Sequence, residues 1–168
     1  MQRWLILLGL VLGSVGVALA AVTPGSIVTL QAPAVGVVQF LQGTDNAGTY
    51  KTLFTAGVGG TPSSSGSKCN AMWLTTDDGT ATHLVTVQLS RGGIRYGGVA
   101  VTTTLSQGFV NGTPPLNLFA PTIWPGLPLD SDGNPYLQLM AGDLIQATFA
   151  TALTTATRIS LVVSCGDY

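Results

Sequence analysis

The sequence predicts an all-β fold, two antiparallel sheets packed face to face as a jelly-roll-like sandwich. Three observations carry this expectation. Thr, Val, Gly, Ala and Leu dominate and glutamate is absent, a composition that suits pleated strands and tight turns better than helices. Short apolar runs alternate with a period of two, so that every second residue belongs to one face. Clusters of Gly, Pro, Asn and Asp separate these runs, and no run after residue 20 keeps a helical period.

Residues 1–20 have the three-part layout of a secretory signal peptide. Arg3 is the basic start, Trp4 to Val17 the apolar stretch, and Ala18-Leu19-Ala20 the small-x-small pattern that signal peptidase reads, which makes Ala21 the expected first mature residue. The rival reading is an uncleaved apolar N-terminal segment, since Trp4 to Val22 is just long enough to span a bilayer. Residues 21–168 then suffice for a single domain with its own core.

Along that domain, residues 26–31 and 35–42 read as two short strands split by Pro33, which cannot donate to a ladder and favours an edge or a bend. Residues 49–55 alternate well enough for a strand, and 57–67 form a Gly/Ser loop. Residues 68–76 and 82–90 flank Asp77-Asp78-Gly79-Thr80 and read as a hairpin, with Val85, Val87 and Leu89 on its core face. A strand at 94–103 follows, in which Gly97-Gly98 marks a bulge or the close approach of another backbone. Residues 106–134 are apolar but non-periodic, and three strands at 135–139, 143–150 and 157–164 close the chain.

Composition also narrows function. Without Arg3 the chain carries five Lys and Arg against seven Asp, a net charge of about minus two, and it has no basic stripe for a phosphate backbone; nucleic acid is excluded as a partner. Only 8% of residues are charged, too few to keep a free surface patch-free, so much of the surface is expected to meet other protein. Cys69 and Cys165 are an even pair in a chain addressed for export, read as one disulfide. Parity agrees if Cys165 shares a face with Ile159, Leu161 and Val163, and Cys69 with Ala71 and Trp73; two separate buried thiols are the alternative.

No reaction signature is present. His83 is the sole histidine, beside a turn, and reads as an ordinary strand residue; Cys69 and His83 have no orienting third group. Nucleophile elbow, zinc-helix and phosphate-loop motifs are all missing, so neither catalytic residue, metal nor cofactor is expected. Asp130-Ser131-Asp132-Gly133-Asn134 opens like a calcium loop but puts Ala141 at the bidentate position, which makes an Asx-rich turn the better reading. Asp77 and Asp78 read as turn residues, and the sequon at Asn111-Gly112-Thr113 is weakened by Pro114. Tyr50, Trp73, Tyr96 and Trp124 are candidates for a sugar-stacking platform, but nothing in their spacing sets them on one face, and Trp73 has the parity of a core residue.

The stretches Gly48-Thr-Tyr-Lys-Thr-Leu-Phe-Thr-Ala-Gly57, Ala81-Thr-His-Leu-Val-Thr-Val-Gln-Leu89, Leu127-Pro-Leu-Asp-Ser-Asp-Gly-Asn-Pro135 and Gly166-Asp167-Tyr168 resemble small β-sandwich proteins encoded among the structural genes of tailed phages and prophages. The likeness spans roughly residues 40–168. It implies a non-enzymatic virion component, a decoration-type subunit on a capsid lattice, and carries no site residue with it. The leader and the two cysteines depart from that pattern and point toward an exported relative, at the cell surface or beyond it.

Two readings follow: a structural or assembly protein, associating with itself or with a capsid or surface lattice, and a secreted module that binds glycan or protein. A membrane partner enters only through an uncleaved leader. The expected contact surface is the irregular passage, where Phe109, Leu116, Leu118, Phe119, Ile123 and Trp124 cannot all alternate into a core.

Overall fold

The computed structural model describes residues 32–57, 66–108 and 113–168. The leader, the expected strand at 26–31 and Phe109 lie outside the described residues. The described chain is all-β, in nine strands: β1 (Ala32–Leu41), β2 (Lys51–Thr55), β3 (Gly66–Thr76), β4 (Leu84–Arg91), β5 (Ile94–Thr102), β6 (Leu116–Asn117), β7 (Leu137–Met140), β8 (Leu144–Phe149) and β9 (Arg158–Asp167). The first sheet runs β1-β9-β3, with β6 and β7 sharing the far edge of β3, and the second runs β2-β8-β4-β5. Every pairing is antiparallel.

Period-two patterning decides which side chains meet between the sheets. The first sheet sends in Val38 and Phe40 from β1, Met72 and Leu74 from β3, and Ile159, Leu161 and Val163 from β9; the second answers with Val85, Val87 and Leu89 from β4 and Ile145, Ala147 and Phe149 from β8. Phe40 and Phe149 join the layers, with ring centroids 5.1 Å apart and planes tilted by 59°, a geometry that contributes about 0.5–1.5 kcal/mol beyond area burial. Gly36 permits the sheets to close at the β1–β2 end, because a Cβ there would run into the Leu53 carbonyl.

Pro33 falls at the second residue of an edge strand, as its missing N–H requires. The Gly97-Gly98 expectation also holds. The β4–β5 ladder shifts register between Leu89 and Ser90, and a Cβ on Gly98 would strike the Val87 carbonyl.

Cys69 and Cys165 form a disulfide. They are direct cross-strand partners on β3 and β9, and both side chains are buried. The closed loop separates the cysteines by 96 positions, which in the chain-entropy model stabilises the fold by about 4–5 kcal/mol.

Two expectations are corrected. The strands around Asp77-Asp78-Gly79-Thr80 are no hairpin, since β3 lies in the first sheet and β4 in the second; the segment crosses between layers, and a buried carboxylate organises it. Trp73 is not core. The β3–β9 register slips between Cys69 and Ala71, so the extra residue turns Met72 and Leu74 inward and Trp73 outward.

Candidate functional site

The polar crossing between β3 and β4 brings together residues that stand apart in the sequence reading. Asp78 and His83 are both fully buried. One carboxylate oxygen of Asp78 accepts from the Thr80 N–H and hydroxyl, each at 2.9 Å, and from the Ala81 N–H at 3.0 Å. The other lies 2.9 Å from His83 Nε2 and accepts from the Thr154 hydroxyl at 2.8 Å. Burial pushes the Asp78 carboxyl up, but the donors from Thr80, Thr154 and His83 outweigh it and hold the group far below the usual carboxylate range. His83 Nδ1 faces the Thr151 carbonyl at 3.2 Å. Both ring nitrogens thus lie against oxygen atoms of the protein, and the ring has no exposure to solvent. The pair fastens the crossing to the 151–157 loop.

A second charged cluster braces the β4–β5 turn. Arg91 donates through Nε and Nη2 to the two carboxylate oxygens of Asp143, and Asp143 also accepts from the Met140 N–H at 2.9 Å. The guanidinium holds Asp143 below the ordinary carboxylate range. Beside it Tyr96 is pushed up to about 12, first by burial and then by its hydrogen bond to Asp143. In the 130–134 stretch Asp130 accepts from the Asp132 and Asn134 N–H groups at 3.0 and 2.8 Å, the Asx turn expected of it.

The irregular passage packs on its own domain. Leu118 and Phe119 are buried in the core, which corrects their reading as partner anchors. Leu116, Ile123 and Trp124 are half-buried and packed against that same core. The Trp124 ring meets Phe119 edge-on, with centroids 6.2 Å apart. Short turn bonds let a non-periodic segment do this: Ile123 and Trp124 N–H groups both donate to the Ala120 carbonyl, folding the apolar side chains under the loop rather than away from it.

Exposed apolar side chains lie at several places, Ile94, Leu129 and Met140 among them, and one group shares the outer face of the first sheet. Val35, Val37 and Trp73 are 65%, 57% and 41% exposed. The register sets Val37 opposite Val162 and Val162 opposite Trp73, so three apolar side chains form one row across β1, β9 and β3. Beside it Val35 pairs with Ser164 and Ser164 with Ala71. Composition hinted at such a surface without locating it. The clue in the sequence was that Cys69 and Met72 cannot both face inward without a bulge between them.

The edge next to this row is partly sealed. The Leu41 N–H donates to the Asp45 carboxylate at 2.7 Å and Lys51 Nζ donates to the Gln39 carbonyl at 2.9 Å, while Lys51 and Asp45 pair at 2.6 Å. Antiparallel alternation therefore turns the backbone groups of odd-numbered β1 residues toward the free edge. No comparable cap covers Val35 and Val37 among the described residues, and Ala32–Leu41 carries no charged side chain.

Comparison with known proteins finds no family model that matches the chain and no matching curated relative.

Proposed function

We propose that this chain is a non-enzymatic structural subunit that seats the outer face of its first sheet against neighbouring protein, first of all further copies of itself. The observation that carries the reading is the Val37–Val162–Trp73 row beside an uncharged, half-open edge strand. Natural sandwiches blunt such edges with charge, proline or bulges; β1 has Pro33 near its start and ten consecutive pairs with β9 without a register shift. An antiparallel β1–β1 contact is self-complementary, as a two-fold interface requires. The full engagement of Asp78 and His83 in structural bonds supports a non-enzymatic role.

The resemblance to phage and prophage β-sandwich proteins makes a virion surface the first setting for this assembly. Export to a cell surface is the second, and the Cys69–Cys165 disulfide fits the oxidising compartment it demands. Sedimentation equilibrium of the purified, disulfide-bonded protein over a range of concentrations tests the assembly reading. Reversible association is expected; a strict monomer up to about 1 mM, where contacts worth less than roughly 4 kcal/mol go undetected, contradicts it.

A further inference from the structure

The outer face of the second sheet, on the opposite side of the sandwich from the apolar row, carries a different chemistry. Thr86 and Gln88 on β4 lie opposite Thr148 and Gln146 on β8 and form a polar floor. Gln88 donates through Nε2 to Gln146 Oε1 at 2.9 Å, and the Ser90 hydroxyl donates to the same oxygen at 3.0 Å. Gln88 and Thr148 are only 6% and 7% exposed although they point away from the other sheet. Gln88 Oε1 and Thr148 Oγ1 have no hydrogen-bond partner. Buried polar atoms of this kind are rare and costly to leave unmatched.

Above this floor, the Arg95 guanidinium lies 4.3 Å from the centroid of the Tyr50 ring. Arg95 belongs to β5 and Tyr50 directly precedes β2, the two outermost strands of this sheet. Their contact therefore straps the face, passing over β4 and β8. Among the described residues no carboxylate pairs with Arg95. Tyr50, Thr86, Gln88, Arg95, Gly98 and Ala100 line a cavity of about 310 Å³ under and beside the strap. Gly98 keeps its wall low, and the Val87 carbonyl forbids a side chain there.

We infer that this cavity is a binding site for a carboxylate-bearing saccharide, a hexuronic acid unit of an acidic glycan. An aromatic face, a guanidinium without a carboxylate and an unpartnered amide oxygen are the set such a sugar needs. The C–H face of the ring takes the place of Arg95 on Tyr50, the carboxylate takes the freed guanidinium in a bidentate pair, and a ring hydroxyl donates to Gln88 Oε1. A neutral sugar leaves the guanidinium without its anion, and a small anion leaves Tyr50 and Gln88 unused.

Titration of the disulfide-bonded protein with trigalacturonate, maltotriose and inorganic phosphate, followed by backbone and side-chain amide NMR, separates these cases. Trigalacturonate is expected to shift the Gln88 side-chain amide and the Tyr50 and Arg95 backbone amides, and to bind at least about tenfold more tightly than maltotriose or phosphate, a difference of about 1.4 kcal/mol. Arg95→Ala and Tyr50→Ala should each weaken it by about tenfold or more, Tyr50→Phe by much less, with thermal unfolding unchanged in all three. Equal binding of phosphate makes this an unspecific anion site and overturns the inference; so does the absence of shifts at Gln88 with trigalacturonate at about 5 mM, weaker than any millimolar site. The oligomeric state measured above does not enter this test.

Discussion

Asp78 ties two loops together, because one carboxylate oxygen serves residues 80–81 and the other serves Thr154. Replacing it with alanine strips the acceptor from the buried His83 ring, from the half-buried Thr154 hydroxyl and from the exposed Thr80. Asp78→Ala should therefore cost about 3–5 kcal/mol, read from urea unfolding at neutral pH, while an Asp77→Ala change, which loses a partly exposed pair with Arg158, should cost well under half of that. The same carboxylate predicts an acid limb. Asp78 and Asp143 both have folded pKa values held below their ordinary range, so the unfolded chain binds protons first as pH falls. Their stabilisation is complete above the unfolded carboxylate value of about 3.9 and is lost below it. Stability measured from pH 6 to pH 2 should decline below about pH 4 in the parent and decline less steeply in the Asp78→Ala variant. An unchanged slope would show that Asp78 is not the titrating group.

At the scale of elements, strands were legible wherever one rule sufficed. Val85, Val87 and Leu89 alternate without interruption, and the sequence reading of β4, β8 and β9 matches the structure within a few residues. It failed where a single residue alters the phase. The extra residue between Cys69 and Ala71 inverts everything after it in β3, which places Trp73 on the face opposite to its parity while the Cys69–Cys165 pairing stands. Asp77-Asp78-Gly79-Thr80 has hairpin chemistry, yet nothing local tells whether the next strand returns to the same sheet; here β4 pairs with β8 in the other sheet, and Asp78 bonds across to Thr154. The 106–134 passage reads as apolar and non-periodic, but the turn bonds to Ala120 that fold its 116–124 part inward have no periodic signature. The disulfide has a direct test at this scale. A Cys69→Ala/Cys165→Ala double variant should keep its sheet signal and lose about 4 kcal/mol, the chain-entropy value for a loop of this length. A loss below about 1 kcal/mol would mean that the bond merely fastens strands already held by their ladder.

For the whole molecule, the two outer faces each carry one distinctive group of side chains. One outer face is an apolar row next to a partly open edge, the other a polar floor under an aromatic–cation strap, and the inner faces are spent on the core. So few charges beside an exposed apolar row are the physical reason for the proposal that the chain assembles through that face. The face also predicts where protection appears: on association, amide exchange should slow at Val35 and Val37, whose N–H groups point to the free edge, and remain unchanged at residues 118–124, already folded onto the core.

The most direct measurement compares the association constant of the parent with that of a Val37→Thr/Trp73→Thr variant by sedimentation equilibrium, with thermal unfolding recorded on the same samples. Both side chains are on the outer face and both replacements keep strand propensity, so the fold should stand. The account predicts at least about a hundredfold weaker association, some 2.8 kcal/mol for the two apolar groups together, with little change in Tm. Association that persists at the parent's strength in a correctly folded variant contradicts it.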